Sequence, residues 1–198
     1  MPLCSKSVSM SIVLCPGIHP PTLSQSFLTE LKNAWDNSIV SVPFPKTCLV
    51  FPAERYPAYS ALHILWFLQQ RQVPLSDPLV LIGFSAGVVG AISTAWVWQS
   101  WGGRVSGLIA LDGWGVPLYG NFPIYRMSHD AFTHWSSGWL GRGERCFYAD
   151  PPVGHLELWR SPQTIRGWEI SSHSHYTRQE TTAATFVTAL IQRIFAIL

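Results

Sequence analysis

The chain has 198 residues, of which 47% are hydrophobic and 12% are charged, and its formal net charge is +2. This length and apolar content suffice for one core, so we expect a single domain over residues 1–198. The basic residues are spread without a run, which argues against nucleic acid as a partner. We also expect no stable membrane insertion, because the apolar stretches fall short of the roughly 20 residues that a membrane span needs.

The four cysteines lie far apart in the sequence and form no Cys-x-x-Cys pair. This spacing predicts buried free thiols rather than a disulfide framework. Free thiols are typical of a reducing compartment, so we expect a cytoplasmic protein. The first apolar run, residues 11–15, is broken by Pro16-Gly17 and therefore predicts a strand rather than a secretory signal.

Short apolar runs with turn residues after them alternate along the chain with amphipathic stretches. The runs predict strands over residues 11–15, 48–51, 79–82, 107–111 and 146–149. The stretches predict helices over residues 23–35, 60–71, 86–101 and 130–140, with a last helix over about 180–197. The polar segment 171–179 predicts a loop.

Alternation of strands and helices is typical of βαβ units and of a parallel sheet. The predicted strands are rich in Val, Ile and Leu and show little polar alternation, as in sheets that helices cover on both faces. We therefore predict an α/β fold, a three-layer, doubly wound domain with a mainly parallel sheet.

One motif in this pattern carries chemistry. The predicted strand 79–82 runs into Gly83-Phe84-Ser85-Ala86-Gly87, and a helix rich in small residues follows at once. In such a turn the glycines avoid clashes at a sharp strand-to-helix reversal, which leaves the serine hydroxyl exposed above the sheet. The amino end of the helix favours developing negative charge. The motif predicts Ser85 as a nucleophile.

With this motif in this position, the chain resembles the α/β-hydrolase family over about residues 11–165, as a small member without a large cap domain. The resemblance implies an oxyanion loop after the first strand, and an acid and a histidine after later strands. The segment 14–20 has the position of that loop. The N–H groups of Ile18 and Ala86 are the expected oxyanion donors, and His19, between Ile18 and two prolines, is expected to be structural.

Two pairs of residues can complete the triad that the resemblance implies. Asp112 ends the strand 107–111, and His155 follows Gly154 in a segment similar to the closing motif of the family. Alternatively, Asp150 follows the strand 146–149, and His173 and His175 precede the last helix. We favour Ser85, Asp112 and His155 over Ser85, Asp150 and His173.

The remaining histidines carry weaker expectations. His129 and His134 fall in a short segment dense in aromatic residues, Gly and Pro, about residues 113–140, which is expected to form a lid over Ser85. Both are expected to be lid or capping residues. Arg126 in the same segment is a candidate partner for a substrate carboxylate or phosphate, although a surface arginine is the commoner case.

An aromatic, weakly charged lid favours an apolar ester or thioester as the small-molecule substrate. We therefore expect a serine hydrolase that works through an acyl-serine intermediate and needs no metal or organic cofactor. Two alternatives stay open. The chain can be a non-catalytic binding protein with this fold, or an acyltransferase that uses the same serine. An open, wet pocket favours hydrolysis, a closed, dry one favours transfer, and a missing contact between histidine and serine favours the non-catalytic protein.

Overall fold

A computed structural model describes residues 10–40, 43–141, 143–171 and 177–198 of the chain. Its strands are β1 (Ser11–Cys15), β2 (Thr47–Val50), β3 (Leu79–Phe84), β4 (Val105–Leu111), β5 (Ile124–Ser128), β6 (Arg145–Ala149), β7 (Arg166–Ser171) and β8 (Thr177–Thr182). Its helices are α1 (Pro21–Asp36), α2 (Ala61–Gln70), α3 (Ala86–Ser100), α4 (Ala131–Ser137), α5 (Glu157–Arg160) and α6 (Ala183–Ala196). A 3₁₀ helix, Gly138–Leu140, follows α4.

The strands form one sheet in the order β2-β1-β3-β4-β5-β6-β7-β8. Neighbours from β2 to β6 are parallel, whereas β7 and β8 each pair antiparallel with the strand before them. The chain reverses its direction of travel across the sheet between β1 and β3. In open α/β sheets, ligands bind outside the carboxyl ends of the strands at such a reversal.

Hydrophobic cores lie on both faces of the sheet. Successive residues of β1 point to opposite sides, so Ile12 and Leu14 pack with α1, α5 and α6, while Val13 and Cys15 pack with α2 and α3. Burial of apolar side chains on both faces is the main stabilising term for such a sheet. The predicted three-layer fold with a mainly parallel sheet is confirmed.

All five predicted strands and all five predicted helices are present, with ends shifted by a few residues. Three strands were not predicted: β5, β7 and β8. In the predicted loop 171–179, Ser171 ends β7 and residues 177–179 belong to β8, so the loop prediction is wrong there. The described residues of β8 are all polar, and pairing with β7 rather than apolar burial holds this edge strand.

The prediction that residues 113–140 form a lid is wrong for part of that segment. Its residues Ile124–Ser128 are fully buried as β5 between β4 and β6, because main-chain pairing on both sides places them inside the sheet. Arg126 is therefore a buried residue and not a surface arginine. In the part of the chain that the structure describes, no helix has both the length and the apolar character that crossing a bilayer requires.

Candidate active site

Ser85 occupies the turn between β3 and α3. Its φ of +52° and ψ of −122° are unusual for a residue with a side chain, and such a conformation costs about 1–3 kcal/mol. The sequence around it permits the turn: a Cβ on Gly87 would overlap the Cys15 carbonyl oxygen at the end of β1. The resulting side chain of Ser85 is partly exposed beyond the carboxyl end of the sheet.

The loop after β1 approaches this turn closely. A Cβ on Gly17 would lie 3.0 Å from Ser85 Cβ and 2.9 Å from the Phe84 carbonyl oxygen, so only glycine fits without a shift. Among the described residues, the N–H groups of Ile18 and Ala86 have no hydrogen-bond acceptor. Ala86 is the first residue of α3, and N–H groups in the first turn of a helix lack an intrahelical partner.

Asp112 directly follows β4, which pairs with β3, the strand that leads into the turn at Ser85. Asp112 is 6% exposed, and its φ is +50°. The carboxylate accepts three hydrogen bonds: from His155 Nδ1 at 2.8 Å, from His129 Nδ1 at 3.0 Å and from the His129 main-chain N–H at 2.9 Å. These donors satisfy a charge that would be costly to bury unpaired.

His155 lies in the segment after β6 and is held on two sides. Its Nδ1 donates to Asp112, and its ring stacks on Phe84, with 4.7 Å between ring centroids. With the proton on Nδ1, the neutral imidazole carries its lone pair on Nε2. The side chain is 42% exposed. In this tautomer Nε2 is the ring nitrogen of His155 that can accept a proton.

His129 is the residue of this cluster that the sequence interpretation misassigned. It is not a lid residue: it follows β5 directly and contacts Asp112 with both its main-chain and side-chain nitrogens. Its Nε2 lies 3.4 Å from Asp130 Oδ2. Burial raises the pKa of the Asp130 carboxyl, but hydrogen bonds from Thr133 and the charge of His129 outweigh this and lower it. The position of His129 at the carboxyl end of a parallel strand is the signal that could have revealed it.

Ser85, Asp112, His129 and His155 line one cavity of about 390 Å³, which we call the first cavity. Ala86 also lines it, whereas Ile18 does not belong to its lining. The remaining walls are mostly apolar and come from α3, from the segment between β4 and β5, and from α4: Val89, Trp114, Val116, Phe132 and Thr133. Among the described residues, no hydrogen bond joins the Ser85 hydroxyl to His155.

Asp150, the acid of the alternative triad, lies outside the first cavity. Asp150 has a side chain that is 51% exposed, accepts a hydrogen bond from Trp168 Nε1 at 2.8 Å and lies 3.8 Å from Arg178 Nη2. It is not part of the lining of the first cavity. Its partner in that hypothesis, His173, lies outside the described residues.

The histidines of the first cavity also have the composition of a metal site. One ligand atom each from Asp112, His129 and His155 lies within 4.8 Å of the others. Imidazole and carboxylate groups are ligands that Zn²⁺ accepts. Both Nδ1 atoms, however, lie at hydrogen-bond distance from Asp112 Oδ2, and these bonds account for the cluster without an ion.

The fold and the first cavity together define an α/β protein that presents a serine, a carboxylate and a histidine in the segments after the parallel strands β3, β4 and β6. Comparison with protein-family models and with curated protein sequences gave no match. Among solved structures, the chain is similar to YbtT, a type II thioesterase from the yersiniabactin NRPS/PKS biosynthetic pathway. The TM-score is 0.51 at 13% identity, over 96% of this chain and 94% of that one. At this identity the likeness shows the shared fold.

Proposed function

We propose that this protein is a single-domain serine hydrolase of the α/β-hydrolase family that cleaves an ester or thioester of an apolar acyl group. The observation that carries the proposal is the cavity that Ser85 shares with the hydrogen-bonded pair of Asp112 and His155. The fold shared with a type II thioesterase supports the choice of thioesters among the candidate substrates.

The proposed mechanism begins with proton transfer. His155 Nε2 takes the proton of the Ser85 hydroxyl as the oxygen attacks the carbonyl carbon of the substrate. Asp112 holds Nδ1 and stabilises the imidazolium that forms. His155 then protonates the leaving alcohol or thiol. In the second half, His155 activates a water that releases the acid from the acyl-serine.

Charge on the substrate oxygen is stabilised by main-chain donors. The N–H of Ala86 lines the first cavity at the start of α3, where the helix dipole also favours negative charge. The N–H of Ile18 is the proposed second donor, because the close approach of Gly17 to Ser85 brings the loop after β1 against the turn.

The walls of the first cavity set the substrate class. Trp114 and Phe132 are 67% and 75% exposed, so apolar rings stand at the rim. Val89 and Val116 add aliphatic surface. Such walls bind an apolar acyl chain by burying its surface, and the described lining residues include no Lys or Arg that would pair with a charged acyl group. An open rim also admits water, which favours hydrolysis over acyl transfer.

A second candidate function is non-catalytic binding of an apolar ligand in the same cavity. One observation favours it: the hydrogen bond between the Ser85 hydroxyl and His155 is not formed within the described part of the chain. In ligand-free enzymes, catalytic hydrogen bonds are often long and tighten when substrate binds, so a hydrolase can also lack this hydrogen bond before substrate binds.

Labelling with a fluorophosphonate, measured by intact mass spectrometry, distinguishes the serine hydrolase from the non-catalytic binding protein. The hydrolase gives a stoichiometric adduct that Ser85→Ala abolishes. Ser100→Ala is the matched control, since Ser100 is an exposed serine at the end of the same helix, and it retains the adduct. A p-nitrophenyl ester and an S-acyl-N-acetylcysteamine thioester of the same acid then compare the two substrate classes. Absence of an adduct would favour the binding protein.

The state of the cysteines indicates the cellular compartment in which the protein functions. Cys15, Cys48 and Cys146 are free thiols. Burial raises the pKa of Cys15 to about 12, and it raises the pKa of Cys48 to about 11 against the opposing charge of Lys32. Free thiols of this kind fit a reducing compartment, and we propose the cytoplasm.

A further inference from the structure

A second cavity, of about 630 Å³, lies next to the first. Helix α4 contributes to both: Phe132 and Thr133 line the first cavity, whereas His134 and Trp135 line the second. The mechanism above uses no residue of the second cavity. Its lining nevertheless combines a buried cation, an unsatisfied imidazole nitrogen and three exposed aromatic rings.

The cation is Arg126, which is 5% exposed at the centre of β5. Its guanidinium donates to the carbonyl oxygens of Gly141 at 3.2 Å and His134 at 3.4 Å, and to the Ser137 hydroxyl. All eleven Asp and Glu residues of the chain fall within the described ranges, and none of them forms an ion pair with Arg126. A guanidinium has five N–H groups, so two of them keep no acceptor in the described structure.

The imidazole belongs to His134, which is 6% exposed. Its Nδ1 is buried and has no hydrogen-bond partner among the described residues. Burial and the charge of Arg126 lower the pKa of His134 to about 4, so the ring is neutral at pH 7 and can donate one hydrogen bond without adding charge. Arg126, with N–H groups left over from its three hydrogen bonds, and His134, with an unpartnered Nδ1, therefore line the same cavity. An anion with more than one acceptor oxygen would satisfy both.

The rest of the lining is apolar. Tyr119, Trp135 and Trp139 are 57%, 57% and 89% exposed, and they line the cavity together with Arg126. Exposed aromatic rings around a buried polar group are typical of ligand sites, because the rings bury an apolar body while the polar group fixes its head.

We propose that the second cavity binds a small carboxylate with a flat apolar body, whose carboxylate pairs with Arg126 and accepts a hydrogen bond from His134. A carboxylate suits this site better than a phosphate dianion, because three N–H groups of Arg126 are already engaged and Arg126 is the one Lys or Arg among the described lining residues. The apolar body lies against Trp135 and Trp139. This proposal does not depend on catalysis at Ser85.

The first test compares two probes that share one ring system. We expect 2-naphthoate to bind one site per chain in isothermal titration calorimetry. The uncharged 2-naphthylmethanol should bind at least about tenfold more weakly, since it lacks the charge that Arg126 recognises. Equal binding of the two probes would overturn the proposal. Displacement of 2-naphthoate by an equal concentration of inorganic phosphate would also contradict the assignment to a carboxylate.

A pair of variants at Gly138 provides the matched control. A Cβ on Gly138 would lie 3.7 Å from Arg126 Nη1, an ordinary contact, and its φ of −59° and ψ of −24° suit any residue. Gly138→Asp therefore sets a carboxylate against the guanidinium, whereas Gly138→Asn sets a neutral group of the same shape there. We expect the Asp variant to lose 2-naphthoate binding by at least about tenfold and to unfold about 3 °C higher than the Asn variant.

Two further variants place the ligand in one cavity or the other. Trp139→Ala removes an exposed ring of the second cavity and should weaken 2-naphthoate several-fold while the protein stays folded. Trp114→Ala removes a ring of the first cavity and should leave the affinity unchanged. If Trp114→Ala weakens binding and Gly138→Asp does not, the probe occupies the first cavity and the proposal is wrong.

Discussion

The two cavities beside α4 each contain a buried charged side chain with three hydrogen bonds, but only in the first do the partners include side chains that can carry the opposite charge. In the first cavity, the Asp112 carboxylate accepts three hydrogen bonds from His129 and His155. In the second, the Arg126 guanidinium faces two carbonyl oxygens and a hydroxyl, with no carboxylate in the described structure. Partners that can take the opposite charge let a buried charge orient the protein's own side chains, whereas a buried charge without such a partner is available to a charged ligand.

If the first cavity is the catalytic one, its serine carries the whole reaction. Ser85→Ala should lower kcat/KM for an activated ester by about 10⁴-fold or more, since the residual rate comes from binding and the oxyanion donors alone. The free energy of unfolding should change by less than about 0.5 kcal/mol, because the side chain is partly exposed. Initial rates and urea unfolding measure the two quantities. Retained activity would refute the proposed nucleophile.

Substitution of the two histidines that contact Asp112 should lower kcat by clearly different amounts. His155→Ala removes the proposed base and should lower kcat by about 10³-fold. His129→Ala leaves its main-chain N–H on Asp112 Oδ1, so the carboxylate stays in place and kcat should fall by no more than about tenfold.

Steady-state kinetics over pH 5 to 9 checks this division of roles. Equal losses in both variants would mean that His129 shares the catalytic role. A larger loss in His129→Ala would exchange the two assignments.

The buried His134 of the second cavity should make the free energy of unfolding depend on pH in the acid range. The pKa of His134 is about 4 in the folded protein and 6.5 for the ordinary side chain, because burial and Arg126 oppose its charge. Between these values the unfolded chain takes up a proton that the folded chain excludes. Folding therefore loses stability as pH falls from 6.5 to 4, by up to about 3 kcal/mol.

His134→Gln removes this proton and keeps a polar side chain of similar size. Urea unfolding at pH 7, 5.5 and 4 should show a shallower decline in the variant than in the unmodified protein. Parallel declines would contradict a neutral, buried His134.

The smallest effect is expected outside both cavities. Asp150 is half exposed and pairs with Trp168 and Arg178 at the end of the sheet. Asp150→Asn should leave kcat/KM within about twofold and stability within about 1 kcal/mol, as for other exposed charges. A loss of activity comparable to that of His155→Ala would instead revive the triad of Ser85, Asp150 and His173.

Side-chain placement on helices was only partly predictable. Of the three tryptophans near the end of α3, only Trp98 is buried, while Trp96 and Trp101 are 45% and 46% exposed. Residues two positions apart point to nearly opposite sides of a helix, so Trp96 and Trp98 do not share a face, and Trp101 follows Ser100, the last helical residue. Trp96 instead donates a hydrogen bond to the Tyr119 carbonyl oxygen at 2.7 Å.

The amino-acid sequence alone determined the apolar strands, the helices between them and the turn at Ser85. These features depend on local patterns: continuous apolar runs, helical spacing and glycines where the main chain passes closely. It also predicted that Asp112 and His155 follow strands, and in the structure His155 Nδ1 lies 2.8 Å from Asp112 Oδ2.

Tertiary structure alone decided the rest. Strand β5 carries Arg126 at its centre and lies in a segment of aromatic residues, Gly and Pro, so no local pattern marked it as part of the sheet. Its pairing with β4 and β6 buries Arg126 and also brings His129 to Asp112. Strand β8 has no apolar side chain among its residues, and its place depends on main-chain hydrogen bonds to β7. Such pairing joins residues far apart in sequence, and its energy comes from main-chain groups that every residue shares.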